Sequence, residues 1–255
     1  MKISSALVLS LVLLISCGSR PALTQLSAED EFERAVEYFD NEQYDIAVLA
    51  FERILFYHPT SEFVDDAQYW LGRSYYASKE YDQAIAEFDY LIKNFSKSKF
   101  IEEAFLYRAK SYLMKAPPFY KDPTEIEHAI NLFDDFLTRF PNSVHTDDVK
   151  DHILMARNRL AKKELENGKL YIKMGEEDAA LLYLMYIVTT YPETESSNEA
   201  RYLAASIFQS EGQYDDAIEL YEELLQDDDW KQKAQKALDS IERPAEEAGK
   251  EEESS

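Results

Sequence analysis

The sequence predicts an all-α protein, a right-handed superhelix (α-solenoid) of about five stacked helical hairpins. Only 6 Gly and 8 Pro occur among 255 residues, which argues against turn-dense sandwiches, barrels and propellers. Hydrophobic residues make up 45% of the chain, enough to bury a sizeable core. The third observation is an internal repeat that occurs five times in one register.

The overall charge excludes several classes of partner. The chain carries 27 basic and 50 acidic residues, a net charge of −23. Because affinity for nucleic acids comes largely from cationic side chains, we expect no nucleic-acid binding and no electrostatic adhesion to anionic lipid. A single cysteine excludes an internal disulfide and a multi-thiolate zinc site.

The amino terminus has the order of a bacterial export signal. Met1 and Lys2 precede the uncharged stretch Ile3–Ile15, which is shorter than the roughly 20 residues of a membrane-spanning helix. The next residues, Leu14-Ile15-Ser16-Cys17, resemble the lipobox of bacterial lipoproteins. The resemblance implies that residues 1–16 are a cleaved signal peptide and that Cys17 carries diacylglyceryl and acyl (palmitate) chains. The alternative is a stray cysteine after an ordinary signal peptide.

A lipidated Cys17 would hold the protein on a membrane by its lipid anchor only. Residues 17–27 are then a lipidated tether, and Gly18 rather than Asp follows the cysteine. By resemblance to enterobacterial sorting rules, this residue permits transfer to the outer membrane. We therefore expect a location on its periplasmic face.

The repeat is centred on an alanine in the second helix of each hairpin. A large apolar residue follows four positions later, and more follow at seven and eight, which makes one apolar helical face. Prolines twelve positions after three of the alanines predict helix ends. The alanines are Ala47, Ala84, Ala129, Ala180 and Ala217; the residues four later are Phe51, Phe88, Phe133, Leu184 and Tyr221; the prolines are Pro59, Pro141 and Pro192.

A small residue also recurs twelve positions before four of the alanines, where it would let the first helix approach the second closely. These residues are Ala35, Gly72, Gly168 and Ala205, each followed three positions later by an aromatic ring. The combined pattern resembles the tetratricopeptide repeat (TPR), a helical hairpin of 34 residues.

The spacing of the alanines, 37, 45, 51 and 37 residues, locates two irregularities. The interval of 45 residues is longer than the interval of 37 before it, and Pro117, Pro118 and Pro123 place the extra residues in a loop inside the third hairpin. The interval of 51 residues exceeds 37 by fourteen residues, which equal about four helical turns. We therefore expect one elongated helix, or two nearly continuous ones, across 147–173 between hairpins 3 and 4. The predicted divisions are 28–143 (hairpins 1–3), 144–241 (hairpins 4–5 and a capping helix over 230–241) and 242–255 (an acidic disordered tail).

No constellation of catalytic or metal-ligating residues stands out. The four histidines, His58, His128, His145 and His152, are scattered, and we expect ordinary solvated side chains. The sequence has no HExxH, CxxC, GxSxG or glycine-rich phosphate motif. We expect no enzyme activity, and no cofactor besides the lipid on Cys17.

First helices line the inner surface of such arrays, where peptides usually bind. Tyr69, Arg73 and Tyr76 lie at i, i+4 and i+7, with equivalents in the first hairpin (Phe32, Val36, Phe39) and the third (Leu106, Lys110, Leu113). They predict a groove for an extended apolar-aromatic peptide, with Arg73 or Lys110 facing its terminal carboxylate. The alternative, that several of these side chains only pack between repeats, stays open.

Later segments carry a more specific resemblance. The lipobox and hairpins are followed by Arg157–Glu164 (RNRLAKKE), Tyr171–Gly175 (YIKMG) and Tyr191–Thr194 (YPET). Together they look like the BamD (ComL) family of outer-membrane assembly lipoproteins, from Cys17 to about Ile241. The elongated helix with its RxRLAxxE run is the distinctive part. The acidic fifth hairpin and Glu-rich tail depart from the family pattern.

The resemblance implies a non-enzymatic subunit of the β-barrel assembly (Bam) machinery, which inserts proteins into the outer membrane. Its front hairpins would bind the carboxy-terminal strand of unfolded outer membrane protein precursors. Its rear hairpins would dock on the periplasmic domains of an Omp85-type barrel. We assign this docking to the helices around Arg157 and Arg159 and to the fourth and fifth hairpins. Whether other assembly lipoproteins join is left open.

Two other classes compete with this interpretation. One is a general TPR scaffold lipoprotein of the cell envelope, linked to peptidoglycan or division factors. The other is a nutrient-binding lipoprotein of the SusD type, but such proteins resemble chains about twice as long with a loop-rich glycan region absent here.

Overall fold

Eleven α-helices and no strand make up the part of the chain that the computed structural model describes, residues 26–118 and 121–241. The helices are α1 Ala28–Asp40, α2 Tyr44–Tyr57, α3 Val64–Ala77, α4 Tyr81–Asn94, α5 Ile101–Lys115, α6 Thr124–Arg139, α7 Thr146–Met174, α8 Glu177–Thr190, α9 Glu195–Ser210, α10 Tyr214–Leu224 and α11 Asp228–Leu238. The predicted signal peptide, the lipidation of Cys17, the tether up to residue 25 and the acidic tail lie outside the described residues.

Each helix packs on the next, so the chain forms five hairpins (α1/α2, α3/α4, α5/α6, α7/α8, α9/α10) and a covering helix, α11. First helices of neighbouring hairpins also touch, as α3 and α5 or α7 and α9 do. This arrangement confirms the predicted all-α array of TPR-like hairpins. The elongated segment is a single helix, α7, of 29 residues.

Side chains of the repeat form the interior, as the pattern predicts. The five repeat alanines and the apolar residues four positions later are essentially fully buried. At Gly72 an added Cβ would lie 2.8 Å from Cε1 of Phe88, so the two helices of the second hairpin approach too closely for a larger residue. Helices α2, α6 and α8 end two residues ahead of Pro59, Pro141 and Pro192.

Four hairpins use the same turn. The residue five positions before the repeat alanine has a positive φ: Glu42 (58°), Lys79 (67°), Gly175 (77°) and Gly212 (80°). The next residue then donates its backbone N–H to the carbonyl of an aromatic residue near the end of the first helix, as Glu80 does to Tyr75 at 2.8 Å. This is the geometry of a Schellman-type helix end. In the third hairpin Pro117, Pro118 and Pro123 lie between α5 and α6 instead, outside both helices as predicted.

The hydrophobic core is continuous from the third hairpin to α11. Phe133 and Phe136 of α6 belong to the same buried cluster as Val149 of α7, and the cluster extends to Ala234. The predicted division at residue 144 stays a prediction, and the core crosses it. Helix α11 begins two residues earlier than the predicted capping segment and ends three residues earlier.

Candidate functional site

Arg73 on α3 lies among aromatic rings from three first helices. Its guanidinium carbon is 4.1 Å from the ring centre of Tyr107 and 5.7 Å from those of Phe39, Tyr69 and Trp70. Its Nη1 donates a hydrogen bond of 2.8 Å to the Tyr69 hydroxyl. No carboxylate within residues 26–118 and 121–241 forms an ion pair with Arg73. Ring faces rather than an acid therefore balance this charge.

We call this group the Arg73 cluster, with Phe39, Tyr69, Trp70 and Tyr107 as its rings. It exists because α3 packs against both α1 and α5, so that residues far apart in sequence meet. Tyr76, one turn after Arg73, contacts Tyr107 edge-on at 5.2 Å.

Lys110, on α5, connects the Arg73 cluster to the fourth hairpin. Its Nζ lies 2.7 Å from Oδ2 of Asp148 on α7 and 5.3 Å from the ring centre of Tyr107. Its charge is therefore already compensated, and Arg73 is the cation with spare capacity for an anion.

The predicted groove residues differ in accessibility. Tyr69 is only 3% exposed and stacks on Phe100 with ring centres 4.2 Å apart. Leu106 and Leu113 are fully buried. Their burial favours the alternative interpretation, packing between repeats, and a peptide role for Tyr69 stays a prediction.

The remaining predicted residues are partly exposed. Phe32 packs against Phe51 and Phe63, and Phe39 against Tyr44 and Trp70. Each keeps part of its surface accessible, as do Arg73, Tyr76 and Lys110. A peptide role for them stays a prediction.

Burial raises the pKa of two tyrosine hydroxyls near Arg73. It raises the pKa of Tyr69 to about 12, although the nearby Arg73 acts in the opposite direction. Burial also raises the pKa of Tyr76 to about 12. Both hydroxyls are protonated at physiological pH, as in an ordinary tyrosine, and that of Tyr69 accepts the hydrogen bond from Arg73.

Sequence reasoning missed Trp70 and Tyr107, the latter being the ring nearest Arg73. The signal that could have found them is the register: both directly follow the buried position of their helix, Tyr69 in α3 and Leu106 in α5. The i, i+4, i+7 pattern selects Tyr69 and Leu106 and leaves out the next residue along the chain. That next residue, Trp70 or Tyr107, also faces a neighbouring helix.

The two arginines predicted to dock a partner make contacts inside the chain. Arg157 pairs with Glu193, donates from Nη2 to the Thr190 carbonyl at 2.6 Å, and lies 5.0 Å from the ring centre of Tyr191. The bond from Arg157 lowers the pKa of the Glu193 carboxyl. Arg157 therefore fixes the end of α8 on α7.

Arg159 performs the equivalent task for α5. Its two terminal nitrogens donate to the carbonyls of Leu113, Ala116 and Pro117 at 3.0, 3.0 and 2.6 Å. Such carbonyls at a helix end have no partner within the helix. Burial lowers the pKa of the guanidinium. Direct docking by either arginine stays a prediction, and the observed contacts are structural.

A shallow groove of about 540 Å³ runs along α7 beside the start of α9. Leu154 and Met155 are its exposed apolar lining, and Arg159 contributes to its wall. The other lining residues are polar: Asp151, Asn158, Lys162, Glu195 and Ser196. This surface lies in the run around Arg157 and Arg159 to which docking was assigned.

The histidines correct one expectation. The side chains of His58 and His152 are only 18% exposed and contact Glu31 and Asp148, respectively, so they are not solvated. Within residues 26–118 and 121–241, no group of three or more His, Cys, Asp or Glu side chains could hold a metal ion. None of the helices described there is long and apolar enough to cross a bilayer.

The fold and these surfaces define a helical-repeat protein of the TPR class. A family model described as "YfiO: Outer membrane lipoprotein" matches residues 24–224. The chain belongs to this YfiO family of outer membrane lipoproteins.

One curated relative is the outer membrane protein assembly factor BamD of Rickettsia prowazekii (strain Madrid E). It is 27% identical over 113 residues, which cover 42% of this chain and 45% of the relative. The chain thus spans about half the length of the curated relative it matches.

Solved structures with a similar course of the chain are TPR proteins. One from Thermus thermophilus is 19% identical with a TM-score of 0.38, covering 84% of this chain and 98% of the other. Another, from Bacteroides fragilis, is 12% identical with a TM-score of 0.48, covering 85% and 98%. At these scores the likeness carries no argument about function.

Proposed function

We propose that this protein is a non-enzymatic, lipid-anchored subunit of the β-barrel assembly machinery on the periplasmic face of the outer membrane. Membership of the YfiO family supports this role, and so does the relative named as an assembly factor BamD. The observation that carries it is the Arg73 cluster, a cation without a carboxylate partner among first-helix rings of which Phe39, Trp70 and Tyr107 are partly exposed.

The front hairpins would bind precursors of outer membrane proteins. Strands of such barrels alternate apolar and polar residues and are flanked by aromatic girdles. An extended segment of this type, ending in an aromatic residue and a free carboxylate, complements the accessible rings of Phe39, Tyr76 and Tyr107 and the charge of Arg73.

The front site can be tested with a double-mutant cycle. The affinity of a fluorescent peptide ending in a carboxylate after an aromatic residue is compared with that of its amidated form, for the parent and Arg73→Gln proteins. We expect each single change to weaken binding about ten-fold and the two together to weaken it little further, since both remove one contact. Arg139→Gln, which removes an exposed arginine of α6, is the matched control and should bind normally.

Additive losses, or unchanged binding by Arg73→Gln, would show that Arg73 does not face the carboxylate. Thermal unfolding of each variant separates lost contact from lost fold. At the level of the cell, depletion of the protein should reduce folded barrels in the envelope, and an undiminished barrel content contradicts the proposed role.

The rear half would dock on a periplasmic domain of an Omp85-type barrel through the α7 groove. Leu154 and Met155 supply exposed apolar surface there, and Arg159 and Lys162 add positive charge to an otherwise acidic molecule. Apolar centres with polar rims are typical of protein interfaces. Because Arg157 and Arg159 fix α8 and α5 on α7, they hold this surface in shape.

A further inference from the structure

Helix α2 exposes a stripe of large apolar side chains away from the rest of the array. Phe56 is 77% exposed, Tyr57 53%, Leu49 61% and Ile46 45%. Their positions, at i, i+3, i+10 and i+11, place them on one side of the helix. The two aromatic rings contact each other edge-on at 4.9 Å. We call these four residues the α2 stripe.

The aromatic end of the stripe lies beside the amino-terminal end of α1. Glu31, in the first turn of α1, accepts a hydrogen bond of 3.0 Å from Arg53, and its carboxylate is 3.6 Å from Nε2 of His58. Phe56 and Tyr57 lie between these two partners in sequence. The chain therefore enters the fold, at Ser27, at the same end of the first hairpin as the two exposed rings.

Covalent length limits how far this end can be from a membrane. Cys17 and Ser27 are ten residues apart (27 minus 17), and ten residues span at most about 35 Å in any conformation. A lipid on Cys17 thus confines the end of the first hairpin to the vicinity of the leaflet. Confinement raises the effective concentration of the leaflet, so even a weak apolar contact forms.

We propose that the α2 stripe is a lipid-contacting surface, with Phe56 and Tyr57 inserted at the headgroup level of the leaflet that holds the anchor. This inference rests on the proposed lipid anchor at Cys17. Aromatic residues suit that depth, because their rings are apolar while a Tyr hydroxyl can remain hydrated. Arg53 lies on the same side of α2, and its guanidinium, 5.7 Å from the Tyr57 ring centre, is paired with Glu31.

Charge around the stripe selects the kind of lipid. Glu29 and Asp30 in the first turn of α1 lie at the same end as Phe56. These acids repel anionic headgroups, so the surface fits zwitterionic phospholipid and binds by apolar insertion rather than by charge.

The test uses the full lipidated protein in phosphatidylcholine vesicles made with or without brominated acyl chains. Phe56→Trp places a fluorophore in the stripe, and Tyr186→Trp places one at another exposed position (47%, against 77% for Phe56), in the fourth hairpin. The parent, with Trp70 and Trp230, gives the background to subtract. We expect brominated lipid to reduce the added emission at least two-fold at position 56 and to leave it unchanged at position 186.

Each result bears on the proposal. No reduction at position 56, or equal reduction at both positions, overturns it. Shielding of the tryptophan at position 56 only after another protein is added also overturns the proposal, because the stripe is then a protein-docking face. Replacing a third of the lipid by phosphatidylglycerol should weaken the reduction, and a stronger one contradicts the choice of zwitterionic lipid.

Flotation of the vesicles separates the two levels of inference. A chain that does not float with them lacks the anchor, which refutes both the anchor and the contact. A chain that floats without quenching at position 56 refutes the lipid contact and leaves the assembly role in place.

Discussion

Arg73 and Arg159 show how neighbouring structure decides the role of one residue type. Both lie on first helices, α3 and α7, and both were candidates for binding from the sequence. Arg73 is surrounded by ring faces and has no carboxylate partner among residues 26–118 and 121–241. Arg159 donates to three carbonyls at the end of α5. A ligand-binding role therefore fits the first arginine better than the second.

Replacement of Arg159 should destabilise the protein. In Arg159→Met the carbonyls of Leu113, Ala116 and Pro117 lose their donor, and we expect the free energy of unfolding to fall by about 2 kcal/mol. Arg159→Lys should recover only part of it, because an ammonium lacks the planar fork of donors. Denaturant unfolding measures both, with Arg139→Met as a control that loses only a solvent-exposed pair with Asp135. Equal effects of Arg159→Met and Arg139→Met would contradict a structural role for Arg159.

Tyr69 should make the fold sensitive to alkali. Its pKa is raised by burial to about 12 in the folded protein, whereas an unfolded tyrosine ionises near 10. The stabilisation is thus complete below pH 10 and is lost as the pH rises toward 12, since the unfolded chain releases the proton first. We expect the parent to lose about 2 kcal/mol more than Tyr69→Phe across this range.

Unfolding of the parent and Tyr69→Phe proteins at several alkaline pH values provides the measurement, and tyrosinate absorbance follows the ionisation. Parallel pH profiles for the two proteins would show that Tyr69 ionises normally.

At the scale of elements, four hairpin turns share one backbone geometry but not one residue type. Glycine occupies the positive-φ position in the fourth and fifth hairpins, whereas Glu42 and Lys79 occupy it in the first and second. A residue with a Cβ is disfavoured there by about 1–2 kcal/mol, and glycine costs roughly 0.5–1 kcal/mol through the entropy of the unfolded chain.

The turn geometry predicts reciprocal substitutions. Lys79→Gly should raise the free energy of unfolding by about 0.5–1 kcal/mol, and Gly212→Ala should lower it by about 1 kcal/mol. Calorimetric melting of the two variants beside the parent checks the signs. A lower melting temperature for Lys79→Gly would mean that the Lys79 side chain makes a compensating contact.

Helix α7 connects the front and rear of the molecule. It is one helix of 29 residues, packed on α6, α8 and α9 and clamped by Arg157 and Arg159 at two neighbouring helix ends. The core that crosses residue 144 adds to this rigidity. We therefore expect the Arg73 cluster and the α7 groove to keep a fixed distance and orientation relative to each other.

At the scale of the whole molecule, three surfaces face three partners in the proposed role: the Arg73 cluster a peptide, the α2 stripe lipid, and the α7 groove a barrel subunit. The net charge of −23 disfavours binding to other acidic macromolecules.

Docking through the groove predicts a selective loss of partner. Leu154→Ser combined with Met155→Ser should abolish co-purification of an Omp85-type barrel from gently solubilised membranes, because the apolar centre of the interface is lost. Leu182→Ser combined with Tyr186→Ser removes an exposed apolar pair from α8 and should leave co-purification intact. Recovery of peptidoglycan-linked or division proteins instead of a barrel would support the general scaffold function.

The sequence by itself determined the hairpins, their number and the elongated helix. Their signals are local: an apolar residue four positions after an alanine, or a proline twelve after it, reports one helix and its end. Gly72 belongs to the same group, since its close approach to Phe88 occurs within one repeat.

Only the tertiary structure decided what each exposed candidate does. Tyr69 is part of the core, and Tyr107 belongs to the Arg73 cluster. Arg159 caps the end of α5, where its acceptor Leu113 lies 46 residues earlier in the sequence. These outcomes depend on which helix lies opposite, and a repeat pattern specifies the face of a helix but not the side chains that a neighbouring hairpin presents to it.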